Sequence, residues 1–105
     1  MNKSHILRNG ELVECDFKTF IEDFGKVENR KVDFTKIGDV DVSTVYLGTF
    51  FYPDTPFETM VFGGIYNELQ ERHATFAEAK IMHRQIVDMV KNVPNKKVDW
   101  PRTGF

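Results

Sequence analysis

Residues 57–64, Phe-Glu-Thr-Met-Val-Phe-Gly-Gly, decide the fold. Six residues rich in aromatic and β-branched side chains, closed by two glycines, read as a buried strand running into a turn. Alternation puts Glu58, Met60 and Phe62 on one face and Phe57, Thr59 and Val61 on the other. A carboxylate under a helix is desolvated and must be paired, hydrogen-bonded or protonated. Glu58 is therefore a structural ion pair, a carboxylate on the open face of the sheet, or a ligand-recognising or catalytic group.

Outward from this strand the chain alternates strand and turn signals. His5–Arg8 and Leu12–Cys15 flank Asn9-Gly10, a hairpin turn signal because both residues accept positive φ. Asp16 caps a helix with Phe17, Phe20, Ile21 and Phe24 on one face, and Gly25 is expected as its left-handed stop. Residues 27–30 read as a loop. Lys31–Ile37 reads as a strand with Val32 and Phe34 on one side and Lys31, Asp33 and Thr35 on the other. Val40–Phe51 is the longest strand expected, with Val42, Thr44 and Tyr46 sharing a face. After the proline loop at 52–56 and the strand at 57–62 come a turn at 63–68 and a short strand at 69–74. Thr75 and Glu78 form a capping box for the last helix, whose inner stripe is Phe76, Ala79, His83, Ile86 and Val90.

The order β-β-α-β-β-β-β-α implies an α+β two-layer domain. Its mainly antiparallel sheet has about five to six strands, with two helices on one face. Residues 1–93 are expected as a single domain and 94–105 as an extended C-terminal tail.

The chain has 105 residues, 41% hydrophobic, with ten Phe, enough for one largely aromatic core. Its net charge is -2 and no basic stripe runs along it, which argues against nucleic acid. There is no membrane-length apolar run and no apolar segment after the first residues of the kind a signal peptide carries, so no membrane association is expected. One cysteine, Cys15, excludes an internal disulfide. His5, His73, His83 and Cys15 lack zinc-site spacing, and Gly63-Gly64 lacks the lysine of a phosphate loop, so no metal and no cofactor is expected.

Four features remain. Glu58 is the first. His83 is the second: an inward histidine needs a partner, and Glu58 is the natural one if the helix crosses its strand. It is otherwise a satisfied core histidine. The third is the aromatic loop Phe50-Phe51-Tyr52 with Asp54, which either fills the core or offers a rigid contact surface. The fourth is Trp100, Arg102 and Phe105 in the tail, which pack back onto an uncovered sheet face or meet a partner.

Val42–Gly48, Phe57–Gly64 and Glu71–Ala79 with His83 together resemble a family of small uncharacterised proteins of tailed phages and prophages. The resemblance runs from about Leu7 to Val90. It implies a phage-encoded protein of the host cytoplasm and no particular activity. The family commonly has an Asp-His pair after the Leu-Gly; Thr49-Phe50-Phe51 stands there instead. Glu58, Arg72 and His83 keep the pattern and form the expected polar centre.

No nucleophile or oxyanion donor accompanies Glu58 and His83, which leans against an enzyme. The leading expectation is a non-enzymatic accessory factor that binds a host or phage protein or counters host defence; self-association is also compatible. The alternatives are a small-molecule or nucleotide-binding module with its pocket near Glu58, Arg72 and His83, and a minor acid–base enzyme using Glu58 and His83.

Overall fold

A computed structural model describes residues 2–93. The expectations for Trp100, Arg102, Phe105 and the tail fall outside the described residues. The fold is α+β with strands in the expected order: β1 (Ser4–Arg8), β2 (Glu11–Cys15), α1 (Phe17–Phe24), α2 (Val27–Arg30), β3 (Lys31–Ile37), β4 (Val40–Tyr46), β5 (Phe57–Phe62), β6 (Gln70–His73) and α3 (Phe76–Lys91). The six strands divide into two antiparallel sheets, the β1–β2 hairpin and a four-stranded β3-β4-β5-β6 sheet. Helix α3 lies across one face of the larger sheet, whereas α1 packs on the hairpin rather than beside α3.

Local chemistry accounts for most boundaries. Asn9 and Gly10 both take positive φ, 52° and 81°, as the tight turn of a hairpin requires. The Asp16 carboxylate accepts from the Thr19 amide at 2.8 Å and starts α1. Thr75 accepts from the Glu78 amide as the N-cap, and the Glu78 carboxylate reaches back to the Ala74 amide at 2.7 Å, one residue before the N-cap, in a variant of the capping box. At Gly63, φ is +101° and a Cβ would stand 2.7 Å from the Asp39 carbonyl oxygen, so the turn passes too close to the β3–β4 connection for any side chain.

Four local expectations are corrected. Gly25 sits at φ −69°, a right-handed conformation, so α1 does not end on a left-handed glycine. Residues 27–30 form a helical turn instead of a loop, held by the Asn29 side chain donating to the buried Asp23 carboxylate at 2.9 Å. Strand β4 stops at Tyr46, where the chain leaves the sheet for a loop closed by the Leu47 amide on the Pro56 carbonyl. A register shift between Lys31 and Asp33 breaks the alternation of β3. Val32 joins the core, Asp33 and Thr35 reach toward α3, and Phe34 turns to the opposite face.

The core under α3 has two apolar halves. One gathers Leu7, Phe20, Tyr46, Phe57 and Ala79; the other gathers Val42, Val61, Ile86, Val87 and Val90. Each element contributes apolar, polar, apolar in turn: Tyr46-Thr44-Val42 on β4, Phe57-Thr59-Val61 on β5, Ala79-His83-Ile86 on α3. A polar belt therefore crosses the middle of the core. The hairpin is joined to the sheet by polar contacts at one end, where the Tyr46 hydroxyl donates to the His5 carbonyl at 2.7 Å and accepts from the Thr49 amide.

Candidate functional site

Two polar assemblies lie on opposite faces of the four-stranded sheet. The first is on the face away from α3. Cross-strand pairing there sets three rows side by side: Lys36–Asp41–Phe62, Phe34–Ser43–Met60–Gln70, and Val45–Glu58–Arg72. Glu58 thus stands on the open face, with its side chain only 12% exposed, and accepts from Arg72 Nε at 3.1 Å. The Arg72 guanidinium lies over the Tyr52 ring, 4.0 Å from its centroid. The same face carries Phe34 of β3 at 51% and Phe62 of β5 at 47% exposure, with Ser43 and Asp41 of β4 between them and Met60 and Val45 half-buried nearer Glu58. No described element covers these side chains.

The second assembly is the belt under α3. His83 Nδ1 is 2.8 Å from the Thr44 hydroxyl, Thr44 is 2.5 Å from the Thr59 hydroxyl, and Thr59 is 2.9 Å from His73 Nε2. On its other side His83 Nε2 is 2.9 Å from the Thr35 hydroxyl and 3.8 Å from Asp33 Oδ1. All four strands and the helix contribute. Thr44 and Thr59 have no exposed surface, and His83 has 1%.

Burial pushes both imidazoles below their usual value; Asp33 pulls His83 partly back, and Glu78, Glu71 and Glu58 do the same for His73. For Asp33, burial acts upward but is outweighed by the Lys80 hydrogen bond at 3.0 Å and the neighbouring charges, so its carboxyl is held below the usual range. Burial also raises the Cys15 thiol, which makes it a poor nucleophile.

The expected polar centre is split by this geometry. Glu58 and Arg72 do meet, but His83 is on the other side of the sheet and bonds to threonines, so the Glu58–His83 pairing is corrected. Energetics explain the choice of face. Burying a threonine hydroxyl that finds a partner is inexpensive, whereas a buried carboxylate costs far more. The face with Phe57, Thr59 and Val61 turns inward, and Glu58 turns out. The belt residues Thr35, Thr44, Thr59 and His73 were not anticipated. Their signal was present in Val42-x-Thr44-x-Tyr46 and Phe57-x-Thr59-x-Val61, two strands with a threonine at the same point between core residues.

In the aromatic loop, Phe50 is half-buried and packs on Phe17 at 4.6 Å between centroids, while Phe51, Tyr52 and Asp54 are exposed. Clefts lie elsewhere among the described residues. One of about 400 Å³ lies between the Gly63-Gly64 turn and the end of α3, lined in part by Val40, Tyr66 and Val90. Another, of about 300 Å³, lies between the hairpin turn and α2. Neither is lined by Glu58, Arg72 or His83. Among the described residues no three His, Cys, Asp or Glu side chains converge as metal ligands, and no helix is long and apolar enough to cross a membrane. Comparison with known protein families, curated proteins and solved structures finds no match for this chain.

Proposed function

We propose that this chain is a non-enzymatic protein-binding factor, encoded by a tailed phage or prophage, that engages a host or phage protein in the host cytoplasm through the open face of its four-stranded sheet. The observation that carries this reading is the exposure of Phe34 and Phe62 on a face that no described element covers and that also presents the half-buried Met60 and Val45. Aromatic and methionine side chains with a stacked arginine at the margin are the composition of interface centres. His83 is enclosed with both ring nitrogens committed, and the Glu58 carboxylate is committed to Arg72.

The test is affinity capture from infected host lysate with wild type and with a Phe34→Ser/Phe62→Ser variant. A stoichiometric protein held by wild type and lost by the variant, at unchanged melting temperature, supports the reading. No partner for wild type, or equal capture by the variant, overturns it.

The cleft of about 400 Å³ beside Gly63-Gly64 favours a second reading, a small-molecule-binding module. Its site would be this cleft and not the Glu58–Arg72 pair. A metabolite or nucleotide that raises the melting temperature by mass action, with the rise lost in Tyr66→Ala, identifies it.

A further inference from the structure

The belt under α3 has a property that follows from counting its hydrogens. Three hydrogen bonds join His83 Nδ1 to His73 Nε2, through Thr44 and Thr59. Each bond needs one hydrogen. Thr44 and Thr59 own one each, and neither hydroxyl has another partner among the described residues. The third hydrogen comes from one imidazole and only one.

Two arrangements satisfy this count. If His83 carries hydrogen on Nδ1, donation runs from His83 to Thr44 to Thr59 to His73. His73 then presents a bare Nε2 and carries its own hydrogen on Nδ1. If His73 instead donates from Nε2, every hydroxyl reverses. His83 then presents a bare Nδ1 and donates from Nε2 to Thr35. Any mixed pair of tautomers leaves one bond with no hydrogen or with two.

We propose that His73 and His83 act as one titrating unit: they share a tautomer, the closed core admits a single proton between them, and a second proton unfastens α3 from the sheet. An imidazolium at His83 donates to Thr44 and Thr35 together and keeps the first arrangement intact. Asp33 of β3 faces it at 3.8 Å, with Lys80 of α3 on the same carboxylate. His73 has Glu71 of β6, Glu58 of β5 and Glu78 of α3 in its surroundings. Among the described residues Asp33 is the only carboxylate within 4.0 Å of an imidazole nitrogen, so the first proton goes to His83. A second on His73 supplies four hydrogens to three bonds, and one contact becomes repulsive in an interior that cannot solvate it.

Nitrogen-15 NMR of histidine-labelled full-length protein tests this, because imidazole nitrogen shifts report tautomer and charge. The expected result is both rings in the Nδ1–H form or both in the Nε2–H form at neutral pH. On acidification one ring charges with the fold intact, and the second charges only as the amide signals of α3 collapse. A mixed pair of tautomers, or both rings charged in a folded protein, overturns the proposal. Thr59→Val cuts the row, so the two rings should then titrate independently, whereas Thr59→Ser should keep them coupled. Coupled titration in Thr59→Val also overturns it. Should that variant not fold, the wild-type tautomers decide alone.

Discussion

Thr44 and Thr59 face each other across β4 and β5 with their hydroxyl oxygens 2.5 Å apart, at the centre of the core and fully enclosed. This contact carries the polar belt between two apolar halves. Thr59→Val keeps the shape but strands His73 Nε2 and one lone pair of Thr44. We expect a loss of about 1–3 kcal/mol, the usual cost of leaving a buried polar group unmade. Thr44→Val should cost a similar amount by stranding His83 Nδ1. Because the two share one hydrogen bond, the double variant should lose less than the sum of the singles by at least about 0.5 kcal/mol. Urea unfolding of the four proteins measures the cycle, and simple additivity would contradict a connected belt.

The same belt sets a pH dependence. Burial lowers the pKa of both His73 and His83 from the ordinary value of 6.5. Below 6.5 the unfolded chain takes up protons that the folded chain resists, so stability is complete above that value. It is lost as pH falls from 6.5 through the depressed folded-state values. The slope can reach about 1.4 kcal/mol per pH unit for each histidine. Asp33 has the same sign but acts lower, since its carboxyl is already held below the usual 3.8. Thermal unfolding between pH 8 and pH 5 should show a falling melting temperature, and His83→Gln should flatten the fall. An unchanged melting temperature over that range would argue against buried neutral imidazoles.

Periodicity and punctuation disclosed much of this architecture, and the misses have physical causes. Asn9-Gly10 announced the hairpin because few other pairs accept two positive φ values. Thr75 and Glu78 announced α3, and the stripe containing His83 is the buried face found. The face of β5 was not legible, since Met60 and Phe62 are as apolar as Phe57 and Val61. The decision rested on which polar residue could find partners across strands, a tertiary fact. The bulge at Lys31–Asp33 likewise leaves no local mark, and it sends Phe34 outward opposite Ser43 while Val32 stays in the core. The short α2 has no strong helix propensity of its own. It follows from the Asn29–Asp23 hydrogen bond, while Arg8 of the hairpin binds the same carboxylate. Glu58–Arg72 was recognisable as a pair, but its separation from His83 by the sheet was not.

Phe34 and Phe62 should behave as surface residues despite their size. Each substituted by Ser should change stability by no more than about 0.5 kcal/mol, because no packed contact under α3 is removed. Phe57→Ala is the internal comparison. That ring is fully enclosed, 5.4 Å from Tyr46 between centroids, and its loss should cost about 3–5 kcal/mol. Denaturant unfolding of the three variants separates the faces. If Phe34→Ser were as damaging as Phe57→Ala, the face would be structural and not free for a partner.

Gly63 and Gly38 both take positive φ, +101° and +60°, yet they should respond differently to alanine. At Gly38 a Cβ meets nothing within 4 Å, so Gly38→Ala pays only the left-handed penalty of about 1 kcal/mol. At Gly63 the same methyl would stand 2.7 Å from the Asp39 carbonyl oxygen, which belongs to the backbone and cannot swing aside. Gly63→Ala must therefore displace the turn from the β3–β4 connection as well as strain φ, and should cost clearly more than Gly38→Ala. It should also widen the cleft that this turn borders, which amide shifts of Val40 and Tyr66 would register. Equal losses in the two variants would mean that backbone conformation alone, and not the close approach to Asp39, demands glycine at the end of β5.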